Sequence, residues 1–513
     1  MTTALDAALD DAPLSRFHTR AIVTAGMGFF TDAYDLFIIG TATTIIAKQW
    51  NLTSAETGLV NSITLISAFV GAFVFGRIAD VLGRKKVYGL EAALMVGGAV
   101  ASAFAPSLIW LLAFRFVLGI GVGGDYPMSA VLMSEFSNRN NRGKLVGLVF
   151  SMQALGTVAG YVAGLTLLGA GVPDGITWRL LLGLGAVPAA AVIVLRRRMP
   201  ESPRYLARVK GQGAEAAAAA SNFSGGAITA TTAGTDGADS KPVRLSLWAF
   251  LSNRRYLTIL LGTAGSWFLF DYAYYGNSVS APLIVSGVLG TKASTDLVHV
   301  LALQLIVFTV AAVPGYFLAA YTMDRIGHRR LQLIGFPLMG LAFLLIGVIP
   351  GITTAIVPFL ILFGMSYFFA EFGPNTTTFV LPGEVFPTSA RTTGHGISAG
   401  FAKVGAFLGV YLLPIIKAHF STAGAMRLFA LFALAGMLLT LLVPEGARRS
   451  LDDLSPEDVV ASAEEIVATS EPHGLRTASD DDVAQLDELD DLDALGDLDG
   501  QSDADARERT AAS

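Results

Sequence analysis

Long apolar runs separated by short charged connections set the pattern of this chain between residues 20 and 443. About twelve of the runs reach the roughly 20 residues that a helix needs to cross a bilayer. They fall near 20–41, 57–79, 87–105, 108–133, 144–170, 178–197, 256–288, 298–322, 330–349, 353–381, 394–415 and 422–443. Several exceed the necessary length and are rich in Gly, which favours close, tilted helix packing. The pattern predicts an all-α membrane protein.

The connections between runs alternate in charge. One set carries Arg16, Arg20, Arg77, Arg84, Lys85, Lys86, Arg139, Arg142, Lys144, the whole 196–255 loop, Arg325, Arg329, Arg330, Arg391, Arg448 and Arg449. The opposite set carries only Lys48, Arg179, Lys292, Lys417 and Arg427. The positive-inside rule then places both termini in the cytoplasm and predicts a multi-pass protein of the plasma or inner membrane. Residues 1–19 are polar and partly acidic and lack the basic region and short apolar stretch of a signal peptide, so the first run is expected to remain as a span.

The chain also repeats itself. GRIADVLGRKK at Gly76–Lys86 is echoed by AYTMDRIGHRR at Ala320–Arg330, which aligns Asp80 with Asp324. Glu135 precedes Arg142 by seven residues, as Glu384 precedes Arg391, and Pro200-Glu201 recurs as Pro444-Glu445. Two six-helix halves, 20–198 and 256–443, are therefore expected, joined by a cytoplasmic linker at 199–255. Within the linker Gly211–Ser240 is rich in Gly, Ala, Ser and Thr and reads as flexible. After residue 443 comes an acidic segment, 444–513, with a short helix predicted at Pro456–Ser470 and a disordered, solvated remainder. The alternative for that tail is a docking segment for an unidentified cytoplasmic partner.

Composition agrees with the pattern. Of 513 residues, 53% are hydrophobic and 15% charged, against about 25% charged in soluble proteins. The net charge of −6 hides two regions: 451–513 holds 20 of the 41 acidic residues, leaving 32 basic against 21 acidic residues in the body. Cysteine is absent, which excludes disulfides and thiolate chemistry. The six histidines show no ligand spacing, so no metal or other cofactor is expected, and a nucleic-acid partner is not expected either. No GxxxxGK[ST] phosphate loop is present and the soluble parts are small and biased in composition, so an enzyme or ATP-driven pump is not expected.

Ionisable residues inside the spans are the candidate chemistry, because each costs several kcal/mol unless it is used or paired. Asp125 lies deep in span 4, with Arg115 the nearest base along that run. Asp32 and Asp35 in span 1 are spaced i, i+3 and face the same way, and Asp271 lies in span 7. Trp267, Asp271 and Tyr275 share one helical face, an aromatic wall with a carboxylate and a phenol. Asp125 and the adjacent Tyr126 point about 100° apart, so they need not serve the same ligand. Gln153 and Lys403 differ by 250, near the repeat offset, and should occupy matching positions in the two halves. An anionic substrate would satisfy Lys403, and so would Asp125 or Asp271 in an empty cavity. Asn375 sits where Pro374 frees backbone groups and its amide can donate to an anion. The set Asp80, Arg84, Glu135, Arg142, Asp324, Glu384 and Arg391 is expected to brace one conformation and so to act in gating.

GRIADVLGRKK and its echo resemble the signature loop of the major facilitator superfamily, and PESPRYLAR at Pro200–Arg208 resembles a feature of sugar porters and their relatives. Four longer stretches are more specific. They are GMGFFTDAYDLFIIG (Gly26–Gly40), RFVLGIGVGGDYPMSA (Arg115–Ala130), WFLFDYAYYG (Trp267–Gly276) and EFGPNTTTFVLPGEVFPTSARTTGHGISAGFAKVGAFLG (Glu371–Gly409). Together they resemble the phosphate:proton symporter family of that superfamily over most of the membrane body. The resemblance implies the major facilitator fold, with twelve transmembrane helices in two pseudo-symmetric halves. It implies a phosphate site lined by Tyr126, Gln153, Trp267, Asp271, Tyr275, Asn375 and Lys403. It also implies proton movement through Asp32, Asp35 and Asp125.

The expected function is proton-coupled uptake of inorganic phosphate by alternating access, with phosphate and protons as partners and the lipid bilayer as surroundings. Asp125 is expected to face a cavity that Lys403, Asp271 and Asn375 approach from the second half. The alternatives are another small solute on the same fold (a carboxylate, an osmolyte or a sugar) and a phosphate sensor signalling through the tail.

Overall fold

A computed structural model describes residues 4–197, 199–229, 245–290 and 297–454. The tail beyond Leu454 with its expected helix at Pro456–Ser470, the linker residues 230–244, and Lys292 lie outside the described residues.

The spans form as helices in the expected order. α1 is Arg16–Trp50, α2 Ser54–Leu82, α3 Leu90–Ala103, α4 Leu108–Glu135, α5 Arg142–Gly169 and α6 Asp174–Arg196. The second half holds α7 Arg254–Ser278, α8 Leu297–Ile326, α9 His328–Val348 and α10 Ile356–Gly383. The last helical stretch, Arg391–Thr440, breaks at Ser421 (φ 63°, ψ 175°) into α11 (391–420) and α12 (422–440). Nine helical stretches among the described residues are long and apolar enough to cross a membrane. The remaining spans escape that test for physical reasons: α3 has only 14 residues, α7 carries arginines, an aspartate and several tyrosines, and α11 runs into α12.

Local sequence sets the helix ends. Ser15 and Thr53 close capping boxes with His18 and Glu56 at the starts of α1 and α2. Asn51 adopts the left-handed conformation that ends α1. Gly83 and Gly327 end α2 and α8 with φ of 107° and 106°, a conformation that a side chain would strain. Pro127 and Pro374 sit inside α4 and α10, and α10 takes a π-helical turn at Glu371–Asn375.

The repeat is a packing repeat. Gly156 of α5 lies so close to α1 that a Cβ would stand 2.0 Å from Phe30 O, and Gly405 of α11 meets Phe268 O of α7 in the same way at 2.2 Å. The two halves meet chiefly where α2 packs on α11 and α5 on α8. Glycines carry the first of these contacts, with Gly396 against Ala72 O and Gly76 against Thr392 O. Small residues permit such close backbone approach where lipid provides no hydrophobic drive.

The described part of the linker departs from the expected flexibility. Gly213–Ser224 forms a 12-residue helix that buries Ala216, Ala217, Ala219, Ala220 and Phe223. Alanine is the strongest helix former, and this stretch supplies five in a row followed by a buried aromatic anchor. Ser15 Oγ donates to Phe223 O at 2.8 Å, so the helix lies against the start of α1. The N-terminal residues are also ordered: Ala4–Asp10 is helical, and Arg204 bonds Asp6 at 2.8 Å and Asp10 at 2.6 Å.

Candidate functional site

Seven residues expected at the substrate site converge in one buried cluster between the halves. Lys403 Nζ of α11 donates to Asp271 Oδ2 of α7 at 2.9 Å and to Tyr275 OH at 3.3 Å. The ammonium lies 4.4 Å from the Tyr126 ring centre and 4.5 Å from that of Tyr275, a double cation–π contact. The hydroxyls of Tyr126 and Tyr275 are 3.3 Å apart. Gln153 Nε2 donates to Tyr126 OH at 3.0 Å, and Tyr316 OH donates to Gln153 Oε1 at 3.2 Å. Asn375 Nδ2 donates to Tyr316 OH at 3.0 Å and to Glu371 Oε2 at 2.5 Å. Trp267 closes one wall, its ring 6.1 Å from Tyr126 and 5.6 Å from His395. Gln153 and Lys403, matched by the repeat, thus both reach Tyr126.

The acids expected to move protons divide differently. Asp125 is turned away from this cluster: its carboxylate pairs with Arg196, at the end of α6, and accepts from Ser129 Oγ at 2.7 Å. Arg196 also holds Glu91 of α3 at 2.5 Å and lies 4.0 Å from the Tyr88 ring centre. Neither Lys403 nor Asp271 is the partner of Asp125, which corrects the expected common cavity. Span 6 brings its terminal arginine into the half's interior, and a buried cation captures the acids within reach. Arg115 pairs with Asp35 at 2.7 Å. Asp32 differs from all of these. It is fully buried, neither oxygen has a hydrogen-bond partner among the described residues, and its charged neighbours are Asp125, Arg196, Lys403 and Asp35. It therefore stands between the acid–arginine network of the first half and the lysine of the second. Gly28, one turn earlier in α1, leaves the space that Asp125 occupies against that helix.

A third cluster joins the halves on the side where both halves carry their repeated loops. Asp80 pairs with Arg84 at 3.1 Å, and accepts from Thr393 N and Thr393 Oγ1, each at 2.6 Å. Asp324 accepts from Gly143 N at 2.9 Å and Lys144 N at 2.7 Å. Each aspartate therefore caps a helix start in the opposite half, where a carboxylate also meets the positive end of the helix dipole. Arg84 and Arg391 share Glu135 at 3.2 and 3.1 Å, while Arg142 and His328 share Glu384 at 2.8 and 2.9 Å. Burial acts to raise the Glu384 carboxyl, but His328 and Arg142 outweigh it and hold the group down at about 2.

Sequence reasoning missed Arg196, Glu91, Glu371, Tyr316 and His328. Arg196 had been counted with the basic linker. Glu91 and Glu371 sit near the polar edges of motifs, and Glu371 directly precedes the GPNTTT segment. The repeat offset of 244 would have placed His328 opposite Arg84.

These features define a membrane transporter of the major facilitator superfamily. The chain belongs to the sugar (and other) transporter family, whose model matches residues 21–457. Similar proteins include low affinity inorganic phosphate transporter 8 of Medicago truncatula, 36% identical over 92% of this chain and 97% of that protein. Inorganic phosphate transporter PHO84 of Saccharomyces cerevisiae is 34% identical over 87% of this chain and 86% of that protein. The repressible high-affinity phosphate permease of Neurospora crassa is 32% identical, covering 90% of each chain. Among solved structures, the proton:xylose symporter XylE bound to 6-bromo-6-deoxy-D-glucose shares the fold, with a TM-score of 0.73 at 20% identity, covering 85% of this chain and 98% of that one.

Proposed function

We propose that this protein is a proton-coupled symporter of inorganic phosphate that works by alternating access. The observation that carries the reading is the buried Lys403–Asp271 pair, set among hydroxyl and amide donors from both halves. The names of relatives at 32–36% identity support the same substrate.

Asp271 neutralises Lys403 until an anion arrives, as a buried charge requires. Phosphate brings its own negative charge to the lysine and accepts from Tyr126, Tyr275, Gln153 and Asn375. A protonated phosphate oxygen also donates, and Asp271 then accepts that proton-bearing group. Sulfate has no such donor near neutral pH and meets the carboxylate unfavourably. A sugar site would have no use for the lysine.

Asp32 is the proton carrier in this reading. A buried carboxylate without a partner is relieved by a proton, and Asp32 has no hydrogen-bond partner. Asp125 and Asp35, tied to Arg196 and Arg115, relay the change in charge to α6 and α4. The clasp formed by Asp80, Arg84, Glu135, Arg142, Asp324, Glu384 and Arg391 closes one side while the site loads, and rocking of the halves opens it. The basic connections support a cytoplasmic location for that side and for both termini, in keeping with a multi-pass protein of the plasma or inner membrane.

The test is uptake of labelled phosphate into proteoliposomes under an imposed inward proton gradient, with sulfate and a small carboxylate as competitors. Accumulation above equilibrium that collapses with the gradient and resists both competitors is expected. Equal competition by the carboxylate, or accumulation indifferent to the gradient, would overturn the reading.

A further inference from the structure

Glu371 has no part in the scheme above, although it is bonded directly to a residue of the phosphate cluster. It is fully buried at the π-helical turn of α10, and its Oε2 accepts the Asn375 amide at 2.5 Å. Among the described residues its Oε1 has no partner at hydrogen-bonding geometry, although the Tyr274 and Tyr316 hydroxyls face the carboxyl, and no lysine, arginine or histidine forms an ion pair with it. The titratable groups that face it are Asp271 and Tyr274 from α7, Tyr316 from α8 and Tyr367 from its own helix. α9 meets the turn through a glycine, Gly335 against Gly373. Every polar group that faces it among the described residues is a hydroxyl, an amide or another acid, which leaves a proton as the means of neutralising the group.

We propose that Glu371 is a second proton-carrying residue, on the C-terminal half, whose charge decides whether the Asn375 amide is free to bind phosphate. The inference rests on the phosphate reading above. Ionised, Glu371 holds Asn375 Nδ2 on its own oxygen and presents a further negative charge to an arriving anion. Protonated, it carries no charge, and the amide can turn to the substrate. The proton enters and leaves on Oε1, the oxygen that the Asn375 amide does not hold, and no other covalent bond is made or broken. Asp32 in the first half and Glu371 in the second then flank the substrate cluster, each a buried acid without a cation of its own. Intramembrane acids of this kind mark proton relays.

The experiment compares full-length wild type, Glu371→Gln and Glu371→Asp in proteoliposomes. It reads the KM for phosphate between pH 5.5 and 7.5 and the proton-to-phosphate ratio from reversal potentials. Phosphate's own ionisation is common to all three and cancels in the comparison. Loss of one obligatory proton removes about a tenfold change in KM per pH unit. Glu371→Gln is expected to show that flatter profile and a ratio lower by one, whereas Glu371→Asp keeps the ratio and shifts the midpoint of the profile. A Glu371→Gln protein with the wild-type profile and ratio overturns the proposal. If Glu371→Gln does not fold, an Asp variant whose midpoint is unmoved overturns it equally. The wild-type arm separates the two ideas: phosphate accumulation with unchanged variants sinks the Glu371 role alone, and no accumulation sinks the phosphate reading and this inference with it.

Discussion

Asp80 Oδ2 accepts the backbone amide of Thr393 at 2.6 Å, so an acid ending α2 in the first half caps the start of α11 in the second. Asp324 returns the contact to Gly143 and Lys144 at the start of α5. Around them Glu201 accepts from Lys85 N at 3.0 Å, and Glu445 accepts from His328 N at 2.7 Å. The clasp is thus a two-fold arrangement of carboxylates on helix starts, and it holds only while the halves stay together on this side.

Asp80→Asn removes the charge that meets both Arg84 and the α11 start. Losing the charge at a helix start costs about 0.3–1 kcal/mol, rising to about 2 where it is partly buried, and one or two kcal/mol is a factor of about 5–30 in a two-state population. Because the chain has no cysteine, a single one introduced beneath the clasp reports opening by its alkylation rate. The rate is expected to rise several-fold in Asp80→Asn while the KM for phosphate stays close to wild type. An unchanged rate would show that the clasp does not set the equilibrium.

Lys403→Ala leaves Asp271 buried without its cation. Breaking a buried pair from one side typically costs about 3–5 kcal/mol, whereas removing both charges is far milder. The melting temperature in detergent should fall in Lys403→Ala and recover in Lys403→Ala/Asp271→Asn. Phosphate binding should be absent from both. A double variant as unstable as the single one would mean that the lysine acts through packing on Tyr126 and Tyr275.

Asp125→Asn should abolish proton-driven accumulation of phosphate. Arg196 keeps Glu91 as its partner, so the fold survives the change. Exchange of phosphate across vesicles with no gradient should persist, since the substrate cluster does not include Asp125. Accumulation equal to wild type excludes Asp125 from the coupling path.

The clasp should be insensitive to pH between 5 and 8 as far as Glu384 decides it. Its carboxyl is depressed from the usual 4.5 to about 2. A depressed acid contributes stability above its ordinary range and loses it as the pH falls through the folded value, here near 2. Alkylation of the same reporter cysteine should be flat from pH 5 to 8 in wild type. A steep change in that range would assign gating to another titration.

Gly156→Ala and Gly405→Ala test the packing repeat. A Cβ at either site would collide with a backbone carbonyl, of Phe30 or Phe268, that no rotamer change can move. Overpacking of this kind costs about 1–3 kcal/mol, and both variants should melt earlier than wild type. One tolerated and one not would show that the halves differ in rigidity despite their shared plan.

Much of this molecule was legible along the chain. Apolar length marks a span locally, and the echo of Asp80 in Asp324 marks a duplication without any knowledge of contacts. Adjacent residues on a helix diverge by a fixed angle, so spacing alone allowed Tyr126 and Asp125 to serve different partners, although it did not say that they would. The shared face of Asp271 and Tyr275 was readable for the same reason, and both meet Lys403. The ordered helix at Gly213–Ser224 was missed because a Gly- and Ala-rich composition does not distinguish a free linker from a helix with a surface to pack on.

Partner choice among buried charges was decided only by tertiary structure. Spans hold their acids and bases at known depths, but which helix lies beside which is set by packing between segments many residues apart. Asp125 therefore had Arg115 as its nearest base along the helix, yet Arg196, 71 residues away, is the group it bonds. Arg115 went to Asp35, 80 residues away, and Asp32 and Glu371 form no ion pair among the described residues. Sequence determined that charged groups lie inside the membrane and must be answered for. The fold determined which are answered by one another and which are left for protons and substrate, because in a low-dielectric interior only groups within a few ångströms can do it.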